Sequence, residues 1–421
     1  MTGHTLDVLL GAGLVVLTLG TVHWLLLQAL YFMRSSGERF PPAPQSGQEW
    51  PPISVLIAAF NEERVIEAAV RSLLAADYGA VEIIVIDDCS QDRTAQIVAR
   101  LAVEDSRVSL LSLPQNQGKA GALNAGVAAA TAEYLVVTDA DTIASADFLK
   151  WMIAPLVNGQ ADAVAGKVKA GYPGGSGVMQ TLQSIEYVTV QHLTRVMQKV
   201  SNSAIMVPGN AGAFRKAAVL AVGGYSPQAK AEDADLSFRL VKHGLRIVCQ
   251  PRATVWTEVP TTWPSFFRQR LRWIHGNLQC IFRDPGGQFG AGRSFYAFAL
   301  YAYENLWRPP LEFARACLPV LVLAGVLPAA WIFGYAGLLM LNGLIVAIAY
   351  GTEEESLREV RYFPLQYAIW AMFLIVPYCV AAWHCVFRYR TPWGKAQRSG
   401  VLASMAMRGE LAAKSPDQSA R

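Results

Sequence analysis

Charge is what this chain has little of. Only 16% of its 421 residues are Asp, Glu, Lys or Arg, against about 25% in an ordinary soluble domain. A disordered chain or a basic nucleic-acid-binding tail needs more charge and fewer apolar residues, so both are excluded and no nucleic-acid partner is expected. Lys and Arg number 36 and Asp and Glu 32, a net +4 that names no anionic partner. Cysteine is scarce as well. The six (Cys89, Cys249, Cys280, Cys317, Cys379 and Cys385) never form C-x-x-C, and the six histidines are scattered. That argues against zinc and fits a reduced compartment better than a disulfide framework. Internal repeats and low-complexity tracts are absent.

Apolar residues fill the gap, at 53% of the chain with a mean hydropathy of +0.27. They are concentrated. Leu6 to Phe32 holds Asp7 and His23 but no Lys or Arg. It is long enough to cross a bilayer and lacks the basic start of a cleaved signal, so an uncleaved anchor is expected. Arg34 and Arg39 follow it, which predicts an N-terminus outside and a cytoplasmic segment next. A second apolar zone runs from Cys317 to Tyr350 and a third from Phe363 to Phe387. Arg388, Arg390, Lys395 and Arg398 come after, predicting a cytoplasmic end. Two cytoplasmic flanks need an even number of crossings between them. One span in Cys317–Tyr350 plus one in Phe363–Phe387 satisfies this. So do two short spans in the first zone with the second re-entrant.

Between these zones short β-rich runs alternate with helical stretches. Ile53–Ala59, Glu82–Ile86, Arg107–Leu113 and Tyr134–Thr138 read as strands, and Glu63–Ala76, Asp92–Leu101 and Lys119–Ala129 as helices. The alternation predicts an α/β domain with a mostly parallel sheet, whose strand ends share one ligand-binding edge. Polar groups follow each strand: Asn61 and Glu62 after the first, Asp87 and Asp88 after the second, Lys119 after the third, Asp139 and Asp141 after the fourth. Carboxylates this dense repel one another unless a cation or hydrogen-bond donors join them.

Asp139-Ala140-Asp141 is the sharpest element. Mg2+ needs only one or two carboxylates beside substrate phosphates, although a lone Asp-x-Asp is often turn chemistry. Asp87 and Asp88 carry the same ambiguity between cap and nucleotide contact. Lys119 opens a helix, where positive charge opposes the macrodipole, which favours an anionic partner. Glu232 and Asp233 open an amphipathic helix ending near Gly244, and are either dipole partners or a general base for a hydroxyl. The run from Trp263 to Ile274 mixes aromatic and basic residues at helical spacing, as an interfacial helix does.

Asp87-Asp88, Asp139-x-Asp141, Glu232-Asp233 and Gln269-x-x-Arg272-Trp273, in this order, resemble the membrane-embedded family 2 glycosyltransferases, the branch with cellulose, hyaluronan and poly-N-acetylglucosamine synthases. The resemblance covers Pro51 to Trp273 and, more loosely, Thr391-Pro392-Trp393-Gly394-Lys395. It implies a GT-A domain, of α/β class, flanked by transmembrane helices. It also implies a UDP-sugar donor, inversion at the anomeric carbon and a divalent cation, Mg2+ or Mn2+. Asp87 and Asp88 would hold the uridine, with Asn61, Glu62 and Lys119 lining the nucleotide pocket. Asp139 and Asp141 would place metal, diphosphate and donor sugar. Asp233 would be the base beside Glu232, and Gln269, Arg272 and Trp273 would bind diphosphate and acceptor. Gly209 and Asn210 would line the acceptor site. Ala231 stands where many relatives carry Thr, and Cys89 where Gly is usual; neither change removes a reacting group.

The expected organisation is a membrane anchor over 1–32, a linker over 33–50 and a cytoplasmic catalytic domain over 51–260. Interfacial helices follow over 261–310, then a membrane region over 311–390 and a basic tail over 391–421. The protein is expected in the inner membrane, acting on a growing polysaccharide or on a lipid acceptor. Membrane lipids are expected partners, and a small accessory membrane subunit is an open option. A transporter is disfavoured because the apolar segments show no paired halves.

Overall fold

The computed structural model describes residues 3–34, 50–171, 177–201, 206–283, 293–387 and 400–408. Most of the 33–50 linker and the Thr391–Lys395 motif lie outside them. The chain divides into two compact units. The helical unit is Met1–Gly37, Gly177–Ser201 and Pro260–Lys395; the α/β unit is Glu38–Ser176, Asn202–Val259 and Ala396–Arg421.

In chain order, helix α1 (Gly3–Arg34) belongs to the helical unit. The α/β unit then runs β1 (Ile53–Ala59), α2 (Ile66–Leu74), β2 (Val81–Asp87), α3 (Thr94–Glu104), β3 (Val108–Ser112), α4 (Gly118–Ala129), β4 (Tyr134–Asp139), β5 (Thr142–Ala144), α5 (Phe148–Val157) and β6 (Ala163–Ala170). Helix α6 (Val178–Ser201) returns to the helical unit, although it lies inside the 51–260 span. The α/β unit continues with β7 (Gly212–Arg215), α7 (Lys216–Ala221), α8 (Glu232–Lys242) and β8 (Ile247–Thr257). Then come α9 (Trp263–Arg283), α10 (Arg293–Ala302), a π-helical turn (Tyr303–Trp307), α11 (Arg308–Leu323), α12 (Trp331–Thr352), a 3-10 turn (Leu357–Tyr362) and α13 (Phe363–Phe387). The short α14 (Val401–Met407) rejoins the α/β unit.

The sheet has eight strands in the order β3-β2-β1-β4-β7-β6-β8-β5. Strands β1 to β4 pair in parallel, as expected of apolar runs such as Ile53–Ala59 that are buried on both faces. In the other half β6 and β8 also pair in parallel, while β7 is antiparallel to β4 and β6, and β5 to β8, so the sheet is mostly parallel as expected, with antiparallel insertions. The sheet is therefore mixed.

Among the described residues three helices are long and apolar enough to cross a membrane: Gly11–Tyr31, Trp331–Thr352 and Leu357–Phe387. The Cys317–Tyr350 zone is interrupted after Leu323, where Gly325 takes φ +70°. What precedes the break is α11, whose first half carries Arg308, Glu312 and Arg315. Helix lengths thus match one long span in that zone and one after it, rather than two short ones. The helical unit has its own core, in which Leu17 of α1, Ile185 and Val188 of α6, Leu338 of α12 and Tyr367 of α13 pack together.

Candidate active site

The loops after β1 and β2 are stitched to each other. The Asn61 N–H donates to Ser90 Oγ (2.9 Å), the Gln91 N–H to Asn61 Oδ1 (2.8 Å) and the Glu62 N–H to Thr94 Oγ1 (2.7 Å). Asn61 takes φ +54° and Cys89 +65°, a left-handed conformation that Gly adopts freely, which explains the residue usual at position 89. Asp88 is buried, and its two carboxylate oxygens accept the Gln117 and Gly118 N–H groups at 2.7 and 2.9 Å. It fastens the start of α4 to the end of β2. Burial holds its pKa above the usual carboxylate range, against the pull of those two N–H groups. Asp87 receives the Ser90 N–H at 3.3 Å on both oxygens.

Lys119 is therefore fixed one residue into α4, and its charge is met by carboxylates from two other elements. Its ammonium lies 2.6 Å from Asp139 Oδ1 at the end of β4 and 3.1 Å from Glu232 Oε1 at the start of α8. These contacts resolve the conflict between a cation and the helix dipole at that position. Burial works against the ammonium, but Asp139, Glu232 and Asp233 outweigh it and raise its pKa. Asp233 is held by backbone: the Gly209 N–H donates to Oδ2 (3.0 Å) and the Ala234 N–H to Oδ1 (2.9 Å). Any Cβ on Gly209 would lie 3.0 Å from Lys119 Nζ and 3.1 Å from Asp233 Oδ2. A side chain at this position would crowd both groups. Asn210 shares its turn, just before β7.

Asp141 is buried while the Asp139 side chain remains 31% exposed, so the outward carboxylate of the pair is Asp139. Among the described residues no group of three His, Cys, Asp or Glu could hold a metal by itself. A hard cation at these two carboxylates would need phosphate oxygens as its remaining ligands.

Tyr225 belongs to the cluster and is missed by sequence reasoning. It is buried, and burial, opposed by Lys119 and reinforced by Glu232, Asp233 and Asp139, raises its pKa. Asn124 of α4 clamps its backbone, accepting the Tyr225 N–H at 2.8 Å and donating to its carbonyl at 2.8 Å. The available signal was Gly223-Gly224 just before it, both at positive φ.

Gln269, Arg272 and Trp273 sit on α9, in the helical unit, so the predicted site residues are carried by both units. The apolar face of α9 is covered: Leu271 and Leu278 pack with Tyr378 and Ala381 of α13, and Phe266 with Leu182 and Trp370. Arg270, between the motif residues, is buried. It pairs with Glu186 of α6 at 2.6 Å and lies 4.6 Å from the Trp273 ring centroid. Arg270 thereby supports the tryptophan, leaving Arg272 as the half-buried cation of the motif.

A mostly parallel sheet with antiparallel insertions and acids at its strand ends is the architecture of a GT-A-like glycosyltransferase domain. Residues 51–276 match the glycosyltransferase like family 2, and the chain belongs to that family. It is 33% identical over 235 residues to the poly-beta-1,6-N-acetyl-D-glucosamine synthase of Staphylococcus aureus, covering 55% of this chain and 56% of that protein. The Staphylococcus epidermidis synthase of the same name is 29% identical over 267 residues, covering 63% and 64%. The chain thus matches somewhat over half the length of these relatives. The mannosyltransferase PcManGT of Pyrobaculum calidifontis, solved with GDP-mannose and Mn2+, shares the fold. Its TM-score is 0.66 at 22% identity, over 90% of this chain and 100% of that one.

Proposed function

We propose that this family 2 transferase moves a sugar from a UDP-sugar, UDP-N-acetylglucosamine foremost, onto a growing β-linked polysaccharide, with inversion and repeated transfer. The observation that carries this reading is the convergence of Lys119, Asp139, Glu232 and Asp233 from α4, β4 and α8 on one sheet edge. The names of the staphylococcal relatives support the sugar and the polymer.

The nucleotide lies along the Asn61–Glu62 and Asp87–Asp88 loops, whose shape the backbone hydrogen bonds maintain. Asp139 and Asp141, with the donor diphosphate, would hold Mg2+ or Mn2+, which supplies positive charge to the leaving group. The acceptor hydroxyl attacks the anomeric carbon from the face opposite the diphosphate. The new carbon–oxygen bond forms as the bond to the diphosphate oxygen breaks, and the hydroxyl proton passes to Asp233. Gly209 and Ala234 N–H groups keep that carboxylate aimed. Lys119 offsets charge on the departing UDP, and the family resemblance assigns Gln269, Arg272 and Trp273 of α9 to diphosphate and acceptor. The catalytic domain is cytoplasmic, the N-terminus outside and the protein in the inner membrane, so a soluble donor meets a membrane-held chain.

The test is incubation of the purified protein in membranes with radiolabelled UDP-sugars and Mg2+, followed by sizing of the product. A long polymer from UDP-N-acetylglucosamine is expected. A lipid carrying one sugar would overturn repeated transfer, and no incorporation from any UDP-sugar would overturn the reading itself.

A further inference from the structure

The C-terminal helix α14 packs on the α/β unit at a place that concerns the donor. Leu402 and Ala403 are buried against Val65 and Ala68 at the start of α2 and against Ile143 of β5. The Leu402 N–H donates to Glu258 Oε1 at 3.2 Å, just past the end of β8. Gly400, at φ +73°, turns the chain into α14, and a Cβ there would lie 3.5 Å from the Arg64 carbonyl oxygen.

Both surfaces that α14 touches are the supports of donor-side loops. Glu62 lies three residues before Val65. Asp141 is followed directly by β5. That strand has three residues and one partner, β8, with Ile143 opposite Trp256. So short an edge strand has little pairing of its own. It is further anchored by Ser72 Oγ, which accepts the Ala144 N–H at 3.1 Å, and by an apolar cover on Ile143 that Val65 and Ala68 share with Leu402 and Ala403 of α14. The helix contributes no reacting group, so its effect must act through the loops it holds.

We infer that α14 is a positioning element for the donor site, fixing the Asp139–Asp141 turn and the Asn61–Glu62 loop in the geometry that takes a nucleoside-diphosphate sugar. This rests on the donor-site reading above. It makes the tail beyond the last apolar helix a determinant of donor affinity.

The experiment uses the full-length protein, with UDP as the binding probe and UDP-N-acetylglucosamine as the substrate. Leu402→Asp should weaken UDP binding and raise the donor KM about tenfold, a typical coupling between distinct sites, with kcat changing far less. Leu402→Met, which keeps volume and polarity, should behave as wild type. Unchanged UDP affinity and KM in Leu402→Asp would overturn the inference, as would a lower kcat at constant KM, the mark of a smaller folded fraction. Should Leu402→Asp not fold, hydrogen exchange on the wild type decides. Coupling is reciprocal, so saturating UDP should slow exchange over 401–407, and unaltered exchange there would overturn the proposal. A wild-type protein that binds no UDP would instead refute the donor-site reading.

Discussion

Each unit holds a partly buried cluster of charges, and the two are built differently. In the helical unit Arg308 pairs with Glu304 (2.6 Å) and Glu312 (3.2 Å), and Glu312 also pairs with Arg315. The Arg315 guanidinium lies 3.5 Å from the Tyr367 ring centroid and donates to the Tyr367 carbonyl at 2.8 Å, while Trp24 Nε1–H donates to Glu304 at 2.8 Å. Two cations meet two anions there. In the α/β unit, among the described residues, Lys119 alone faces three carboxylates, Asp139, Glu232 and Asp233. A balanced network is complete without a ligand and ties α1, α11 and α13 together. An acidic surplus at a strand-end edge is complete only when positive charge arrives with a substrate. Burial and ion pairing are common to both, so the imbalance is what marks the site.

The strongest challenge to this contrast is metal removal. Excess chelator should lower transfer at least about hundredfold, since a cation at a phosphate-leaving site supplies several kcal/mol, while the thermal midpoint stays put. Full activity in chelator would mean that the cluster works without a bound cation. Next comes Glu312→Gln, which leaves the Arg315 charge short of its partner. It should cost about 3–5 kcal/mol of stability, read as a lower thermal midpoint in detergent, with donor KM and activity per folded molecule retained. A changed KM would show that the balanced network also reaches the chemistry. The smallest effect belongs to Gly209→Ala. The added methyl crowds Lys119 and Asp233, so transfer should fall roughly tenfold with little change in midpoint. Wild-type activity would show that the close approach is dispensable.

Much of the edge was legible in the sequence because it is local. Ile53–Ala59 is the observed first strand, and Asp87, Asp139 and Lys119 sit at element ends that hydrophobic patterning marks well. The hidden part was set by distant pairing. Strand β5 has three residues, too few for a periodic signal, and its partner β8 lies over a hundred residues on. Helix α6 has the spacing of any amphipathic helix, and only its contacts with Leu17 and Leu338 assign it to the helical unit. The role of Arg270 could not be told from that of Arg272, since both sit in one basic run. The Glu186 pair and the Trp273 ring separate them. Tyr225 and Gly209 bear on Lys119 and Asp233 across long stretches of chain, a relation that spacing does not encode.

The proposed transfer site stands or falls with Asp233 as its base. It is tested most directly on purified Asp233→Asn protein, by measuring UDP binding and sugar transfer on one preparation. UDP affinity should stay close to wild type, because Asn keeps an acceptor for the Gly209 N–H, and transfer should fall by about 10²–10⁴-fold. Transfer at the wild-type rate would contradict this assignment.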